Sequence, residues 1–444
     1  MSINMTLNQP YVAGRFYYED YISRLRASWN YYILVFTLIF GVIFYDLISN
    51  TFGFTYIDEL IALTLMLYWM FSPRRSVKEF YYFIFIALFY LVYSLVYPHN
   101  VAPAIYTDFF IQAKPYVAFY TVYALNFGIT RRQERNICRW CKFFSLYTLV
   151  IGVWFLAGNE EIIFTTFGHP SRYATACTIC GVMYLIYSRQ RRQDVLWSVV
   201  MVGIGCISLR SKAYGFFAAY VFVMLLIDKI NYRRLFTLKN ILLAVICVAA
   251  VLYFSWEKFS FYFINGSEGV IPYSRPLLYI SAWDILQDYP LFGVGLGSYA
   301  THASAVWYSP VYYTYELYVS NEIGNGLFIS DTFFPVFAEF GFVGIFLFIL
   351  FWRNRVNTAR ANYKITQNKI LFKIALLTVV FFFIESTSDS TFTHNRGMAM
   401  LMLYAIILNN SSTTKYSILP PKWMIRQRLS EAKREENDEP RRDG

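Results

Sequence analysis

Residues 29–48 read WNYYILVFTLIFGVIFYDLI, twenty residues in which Asp46 is the one charge. A helix rises about 1.5 Å per residue, so a run of this length crosses the roughly 30 Å of hydrocarbon in a bilayer. Backbone polar groups find no water there, and a helix satisfies them internally. Similar runs recur along the 444 residues and predict spans near 29–48, 56–72, 79–97, 114–129, 140–157, 172–188, 195–209, 212–228, 240–256, 333–352, 370–386 and 395–409. The expected fold is an all-α integral membrane protein of about 12 transmembrane helices, with one large outer loop between the ninth and tenth. Composition agrees: 57 % hydrophobic against 15 % charged residues, with a mean hydropathy of +0.39, leaves a water-soluble fold too little polar surface. The 39 Tyr and 43 Phe suit aromatic belts at the membrane interfaces. No long internal repeat is visible, which disfavours transporter folds made of duplicated halves.

Orientation follows from Lys and Arg, which stay on the cytoplasmic side. With the N-terminus inside, about 32 of the 39 basic residues fall in inside segments, so both termini are expected in the cytoplasm of a bacterial inner membrane. Residues 1–28 form a cytoplasmic N-terminal segment whose charges, among them Arg15, Glu19 and Arg24, do not make a cleavable signal; the first run is then a retained anchor. Helices one to nine occupy 29–256, a periplasmic loop 257–332, helices ten to twelve 333–409, and a charged cytoplasmic tail 410–444. The net charge of +11 is thus topological, and nucleic acid is not an expected partner; the bilayer is. Seven cations remain for the outer face: Lys114, Arg172, Arg210, Lys212, Lys258, Arg275 and Arg396. An anionic substrate on that side is the simplest reason for them, since guanidinium groups grip phosphate oxygens in pairs. The bland alternative is that some are snorkelling or loop charges.

Long loops usually carry function. This one holds Ser274-Arg275, then Trp283, then Pro290-Leu291-Phe292-Gly293-Val294-Gly295-Leu296-Gly297. Alternating glycines let backbone approach a ligand or turn tightly, and the spacing is not that of a dinucleotide fingerprint. His169, His302 and His394 are candidate substrate contacts, although the ordinary-loop reading is the stronger one for His169 and His302; Glu385 and Asp389 lie near His394 and Arg396 in sequence. Two C-x-x-C pairs, Cys138/Cys141 and Cys177/Cys180, fall at different depths by this topology and read as free thiols. The chain has no D-x-D, and neither a metal nor another cofactor is expected.

Four segments together resemble the O-antigen polymerase and O-antigen ligase superfamily of bacterial surface-polysaccharide assembly. They are Phe167-Gly168-His169-Pro170 followed by Arg172; Ser211-Lys212 after Arg210; Arg275 with Pro290 to Gly297; and Ser330-Asp331 ahead of Glu339-Phe340-Gly341-Phe342-Val343-Gly344. Lys212 stands where the family has arginine, which keeps charge but loses the two-pronged geometry. Ser330-Asp331 stands where the ligase pattern has histidine, so a histidine base does not carry over.

The resemblance implies a membrane glycosyltransferase that takes an undecaprenyl-diphosphate-linked oligosaccharide as donor and a glycan hydroxyl as acceptor, with a chain-length regulator as a further partner. Arg172, Arg210, Lys212 and Arg275 would neutralise the departing diphosphate. Asp331, with Arg275, would be catalytic, taking the acceptor proton; Glu322 is the second choice of base. Asp331 also reads as an N-cap of the tenth span. Trp283, His169, His302, Glu322, His394 and Arg396 are further substrate contacts. The missing histidine favours a polymerase over a ligase that would act on lipid A core or protein, and a lipid-linked oligosaccharide flippase is the rival from another class.

Overall fold

The computed structural model describes residues 10–72, 77–226 and 273–412, and these contain helices and turns but no strand. The expected ninth span at 240–256, the first part of the large loop and most of the charged tail lie outside them. Helix α1 (Pro10–Phe36) continues through a π-helical stretch, Thr37–Ile43, and stops at Phe44. Helix α2 (Tyr45–Phe52) ends at Gly53, which takes the left-handed conformation that glycine adopts freely, and the chain bends by 118° into α3 (Ile57–Phe71). Then come α4 (Lys78–Val96), α5 (Ala102–Leu125), α6 (Arg131–Leu156), α7 (Glu161–Phe167), α8 (Pro170–Tyr187), α9 (Arg192–Ile204) and α10 (Ser211–Val221). The long loop contributes α11 (Ser274–Asp288) and short helical turns at His302–Val306, Val311–Thr314 and Asn321–Gly324. Helices α12 (Gly341–Thr366), α13 (Lys369–Ser386) and α14 (Asn395–Ser412) close the described chain.

Two helices form the centre. Every side chain of α8 except Arg172 is buried, and so is every one from Met398 to Leu408 in α14. A helix buried all round is enclosed by other helices. The outer helices instead turn apolar stripes outward: Phe85, Leu88 and Val92 on α4, and Phe143, Leu146, Val150 and Val153 on α6. Steps of three and four residues keep each stripe on one face, and lipid is the solvent that tolerates such faces. By length and composition Ser23–Ile43, Lys78–Val96 and Arg131–Leu156 can each cross a bilayer, and the bent pair α2 and α3 supplies a fourth span if taken as one. These features mark a membrane protein; the count of twelve rests on the sequence.

Several boundaries differ from those expected. The first helix begins at Pro10 rather than near 29. Helix α5 starts at Ala102 with Pro103 in its first turn, where proline is tolerated, so Asp108 lies within a helix rather than in a loop. Helix α6 starts at Arg131 because Thr130 and Gln133 form a capping box. Helix α12 starts at Gly341, after a 3-10 segment Phe334–Glu339, and runs on to Thr366 with Arg353, Arg355 and Arg360 inside it. Helices α6 and α8 bring Cys141 close to Cys180, so the two C-x-x-C pairs are not at separate depths as expected; the five described cysteines are free.

The glycine-rich segments bind each other. Val294 N–H donates to Ala338 O at 3.0 Å and Gly295 N–H to Glu339 O at 3.0 Å, while Phe342 N–H donates to Pro290 O at 2.8 Å. Gly293, Gly295, Gly297 and Gly341 all have φ between 64° and 82°. A Cβ on Gly293 would stand 2.3 Å from Ala338 O, and one on Gly341 2.4 Å from Leu291 O. The close approach that glycine permits is therefore between two backbones, not toward a ligand. Helices α4 and α5 complete the clasp: Leu296 N–H donates to Ser94 Oγ at 2.8 Å and Gly297 N–H to buried Asp108 at 3.0 Å. Glu339 Oε1 accepts from Ser298 N–H at 2.6 Å and Tyr299 N–H at 2.7 Å. Gly293→Ala is expected to destabilise the protein by about 2–3 kcal/mol, combining left-handed strain with a clash. Gly53→Ala, with φ +66 but nothing within 4 Å, should lose about 1 kcal/mol; thermal midpoints in detergent compare the two.

Candidate functional site

The sequence Gly168-His169-Pro170 is the hinge on which one wall of the site turns. Gly168, at φ 67°, caps α7 by donating to Phe164 O, and His169 is the N-cap of α8, with Nδ1 accepting from Ser171 N–H at 3.2 Å and Pro170 at the first helical position. Gly168 also makes room: a Cβ there would lie 2.7 Å from Asp46 Oδ1 and 2.9 Å from Arg172 Nη1. Arg172 thus leaves α8 over the backbone of Gly168 and donates from Nη1 to Asp46 Oδ1 at 2.6 Å. The second oxygen of Asp46 accepts from Arg396 Nη2 at 2.6 Å. Asp46 sits in the first turn of α2, just past the break at Phe44, and so bridges two guanidinium groups from α8 and α14.

A second wall comes from α10 and the turn between α13 and α14. Lys212, in the first turn of α10, donates to Glu385 at 2.5 Å and to Asp389 at 2.7 Å. Arg210 Nη2 lies 3.3 Å from His169 Nε2, which joins this wall to the first. His394 Nε2 is 3.1 Å from Ser390 Oγ, and that hydroxyl donates to Ser330 O at 2.6 Å.

The long loop adds a further ion pair to the cluster. Arg275 Nη2 donates to Asp331 Oδ2 at 3.2 Å. Helix α11 is held down by Tyr279, whose hydroxyl donates to Thr387 O at 2.9 Å. Asp331 stands well before Gly341, where α12 begins, so it is not the N-cap of that span; its carboxyl is committed to Arg275.

Five cations, Arg172, Arg210, Lys212, Arg275 and Arg396, therefore meet four carboxylates, Asp46, Glu385, Asp389 and Asp331. Exposure sorts them. The side chains of Arg172 and Arg275 are 39 % and 27 % exposed, against 10 % for Lys212 and 2 % for Arg396. The first two can reach a ligand, whereas Arg396 and Asp46 form a foundation beneath them. Protonation follows the same order. Burial, then Arg210, pushes the His169 imidazole down to about 4, and burial, then Arg172, does the same to His394, to about 4. Both are neutral near pH 7. Burial opposes ionisation of Asp389, but Lys212 prevails and holds it at about 2. Burial raises Asp331 above its ordinary value, with Arg275 pulling the other way.

Three sequence candidates lie elsewhere. Trp283 is exposed, its ring 6.3 Å from that of Phe342. His302 opens a short helix in the loop, in the field of Asp108. Glu322 accepts from the Ser274 hydroxyl and so braces the start of α11 beside Arg275. Asp46 was not among the sequence candidates, although an acid inside an apolar run was signal enough. A related cluster, Lys114 with Asp58 and Glu59, borders the site.

Next to the cluster, between α4, α5 and α12, lies a cavity of about 250 Å³ lined mostly by apolar groups, including Phe83, Ile86, Tyr116, Phe337 and Phe348. It begins at Phe333, two residues past Asp331, and follows α12 from Gly344 to Arg355, about 17 Å of helix. At its far end buried Arg355 pairs with Glu79. Among the described residues no group of three or more His, Cys, Asp or Glu side chains has a metal-holding arrangement.

Compared with known proteins, residues 207–349 match the model of a family described as O-antigen ligase. No curated protein matches the chain. The matched residues contain Arg210, Lys212, Arg275, Asp331 and both halves of the glycine clasp, so over this third of the chain the match supports the resemblance to the O-antigen polymerase and ligase superfamily that three of the four short motifs carry there.

Proposed function

We propose that the protein transfers an oligosaccharide from a polyprenyl diphosphate to an acceptor sugar hydroxyl at the outer face of the membrane, and that the acceptor is a second lipid-linked unit. One observation carries this reading: cations from α8, α10, α11 and α14 converge on a single spot beside an apolar cavity. The cations suit a diphosphate, and the cavity suits the hydrocarbon attached to it.

In this mechanism Arg275 leaves Asp331 to bind the incoming diphosphate, with Arg172, Arg210 and Lys212 completing the cradle. The exchange strips Asp331 of its counter-charge and makes it a better proton acceptor. The acceptor oxygen attacks the anomeric carbon as its proton passes to Asp331. The bond from that carbon to the diphosphate oxygen breaks, and its electron pair departs with the phosphate, where the cations stabilise it. Attack from the opposite face inverts the anomeric configuration.

Purified protein given a synthetic lipid-linked repeat unit, with no ion gradient, is expected to lengthen it. Movement of the lipid across a bilayer without new glycosidic bonds would replace this reading with a flippase. The second reading, ligation to lipid A core or protein, is favoured by the description of the matching family. Loss of chain-length ladders on gene deletion supports the polymerase, and loss of capped lipid A the ligase. Side chains supply the neutralising charge, so EDTA is expected to leave turnover unchanged.

The pH profile tests Asp331. A base acts when ionised, and its carboxyl lies above the ordinary value. Activity should therefore fall on acidification at a higher pH than an exposed carboxylate would give. Asp331→Asn is expected to remove that limb along with most of the rate; an unchanged limb would assign the proton transfer to another group.

A further inference from the structure

The outer loop contains WYSPVYYTYELY at residues 307–318, six aromatics in twelve, and the fold sorts these rings into two groups. Tyr312 is fully buried, its hydroxyl accepting from Ala300 N–H at 2.9 Å and lying 2.7 Å from Ser304 Oγ. Tyr313 and Tyr318 face outward, 59 % and 48 % exposed, with ring centroids 5.5 Å apart and planes tilted by 36°. Tyr308 links the groups, 5.1 Å from the Tyr312 ring and 5.4 Å from that of Tyr313. Glu316, between the two outward rings, has φ 54°, a conformation that a non-glycine residue holds only when its surroundings impose it. The inner tyrosines thus anchor the outer pair as a fixed surface.

The charge around this surface narrows what it can bind. From Arg275 to Arg353 the sequence has no Lys or Arg, yet it has Asp284, Asp288, Glu316, Glu322, Asp331 and Glu339. A patch that docks on anionic headgroups is rich in cations; this one is aromatic, with exposed Glu316 between its rings in sequence and no cation in the flanking chain. Phosphate is likewise excluded from it. Thr314, Glu316 and Asn321, close to the two tyrosines in sequence, are exposed and offer hydrogen-bonding groups of the kind that sugar hydroxyls take, and a tyrosine face suits the C–H face of a pyranose. The surface also leads to the cluster: Tyr318 is four residues from Glu322, which accepts from Ser274, the neighbour of Arg275.

The geometry points to Tyr313 and Tyr318 as a stacking platform for neutral or amino-bearing sugar rings of the glycan, set apart from the cations that take its phosphates. This rests on the glycosyl-transfer reading, for it names where that substrate's saccharide lies. The division is a separation by charge: phosphate toward Arg172 and Arg275, sugar toward tyrosines and carboxylates.

The test uses full-length protein and two probes. One is oligosaccharide released by mild hydrolysis from the surface polysaccharide of the cell that makes this protein; the other is inorganic pyrophosphate. Wild type should bind both. The pair Tyr313→Ala and Tyr318→Ala should weaken oligosaccharide binding by about tenfold, the loss of two stacking contacts, and leave pyrophosphate binding unchanged. The pair Tyr313→Phe and Tyr318→Phe, which keeps the rings, should retain most of the affinity. Unchanged oligosaccharide affinity in the alanine pair, or none in wild type, overturns the platform. So does protection of Tyr313→Cys from a water-soluble maleimide in phosphatidylcholine nanodiscs, which would seat the patch in the bilayer. The donor reading fails separately, by pyrophosphate binding that is absent or indifferent to Arg275→Ala.

Discussion

Arg275→Ala is expected to lower turnover by about 10²–10³-fold, the usual loss when one preorganised donor to a developing charge is removed. Stability should change by no more than about 1 kcal/mol, because the Arg275 and Asp331 side chains are 27 % and 37 % exposed and surface ion pairs contribute little. That separation makes Arg275 the cleaner probe of the site. Lys212 is a poorer one: it is buried against Glu385 and Asp389, so its removal would disturb the fold and the chemistry together. The measurement is the rate of new glycosidic bond formation beside the thermal midpoint in detergent. Normal polymer ladders from cells carrying the variant would take Arg275 out of the catalytic cradle. Arg275→Lys should recover part of the loss, since it restores the charge without the two-pronged grip.

Asp46→Ala should produce the largest loss of stability, about 3–5 kcal/mol. Its carboxylate is 4 % exposed and serves both Arg172 and Arg396, and the Arg396 side chain is 2 % exposed. Deleting the acid leaves a guanidinium inside the protein without its counter-charge, and such a group cannot shed its proton to escape the penalty. The prediction has an internal control. Asp46→Ala combined with Arg396→Met should recover most of the loss, because replacing both members of a buried pair by apolar groups is close to neutral. If the double variant is as unstable as the single one, Asp46 is acting through α2 and its bend rather than through charge.

The predicted cations came within reach of one another for a reason legible in the sequence. Topology disfavours Lys and Arg outside, so the few that the expected topology leaves there read as a group; of the seven, Arg172, Arg210, Lys212, Arg275 and Arg396 meet, Lys114 pairs with Asp58 and Glu59, and Lys258 lies outside the described residues. Their partners were harder to read. Glu385 and Asp389 pass for a polar turn between two apolar runs, and pairing with Lys212 depends on how α10 packs against α13, which neither segment encodes locally. The glycines of 293–297 were legible as points of close approach, but a sequence pattern does not say whether a ligand or another strand of the same chain does the approaching. The helix starts at Ala102 and Gly341 were missed because polar and proline-bearing turns outside the apolar runs are read as loop, whereas capping and packing extend or shorten the helix there. Trp283 and His302 were chosen by residue type alone, and nothing in type fixes which way a loop faces.

The clasp between Pro290–Gly297 and Glu339–Gly344 pins both ends of the intervening chain side by side against α4 and α5. Everything between those ends is then an excursion from a fixed base, and its Tyr299, Tyr312 and Leu317 share one small core with Leu278, Ala282 and Ile285 of α11. A replacement of similar span, grafted at the same two anchor points, would keep the start of α12 but would have to rebuild the face that α11 packs on, from the Leu278 carbonyl held by Tyr299 to the Ser274 hydroxyl held by Glu322. Evolution, or an engineer, would thus exchange α11 and the excursion together as one cassette that carries Arg275, Asp331 and the exposed tyrosines, while the helices that hold Asp46, Arg172 and Arg396 stay in place.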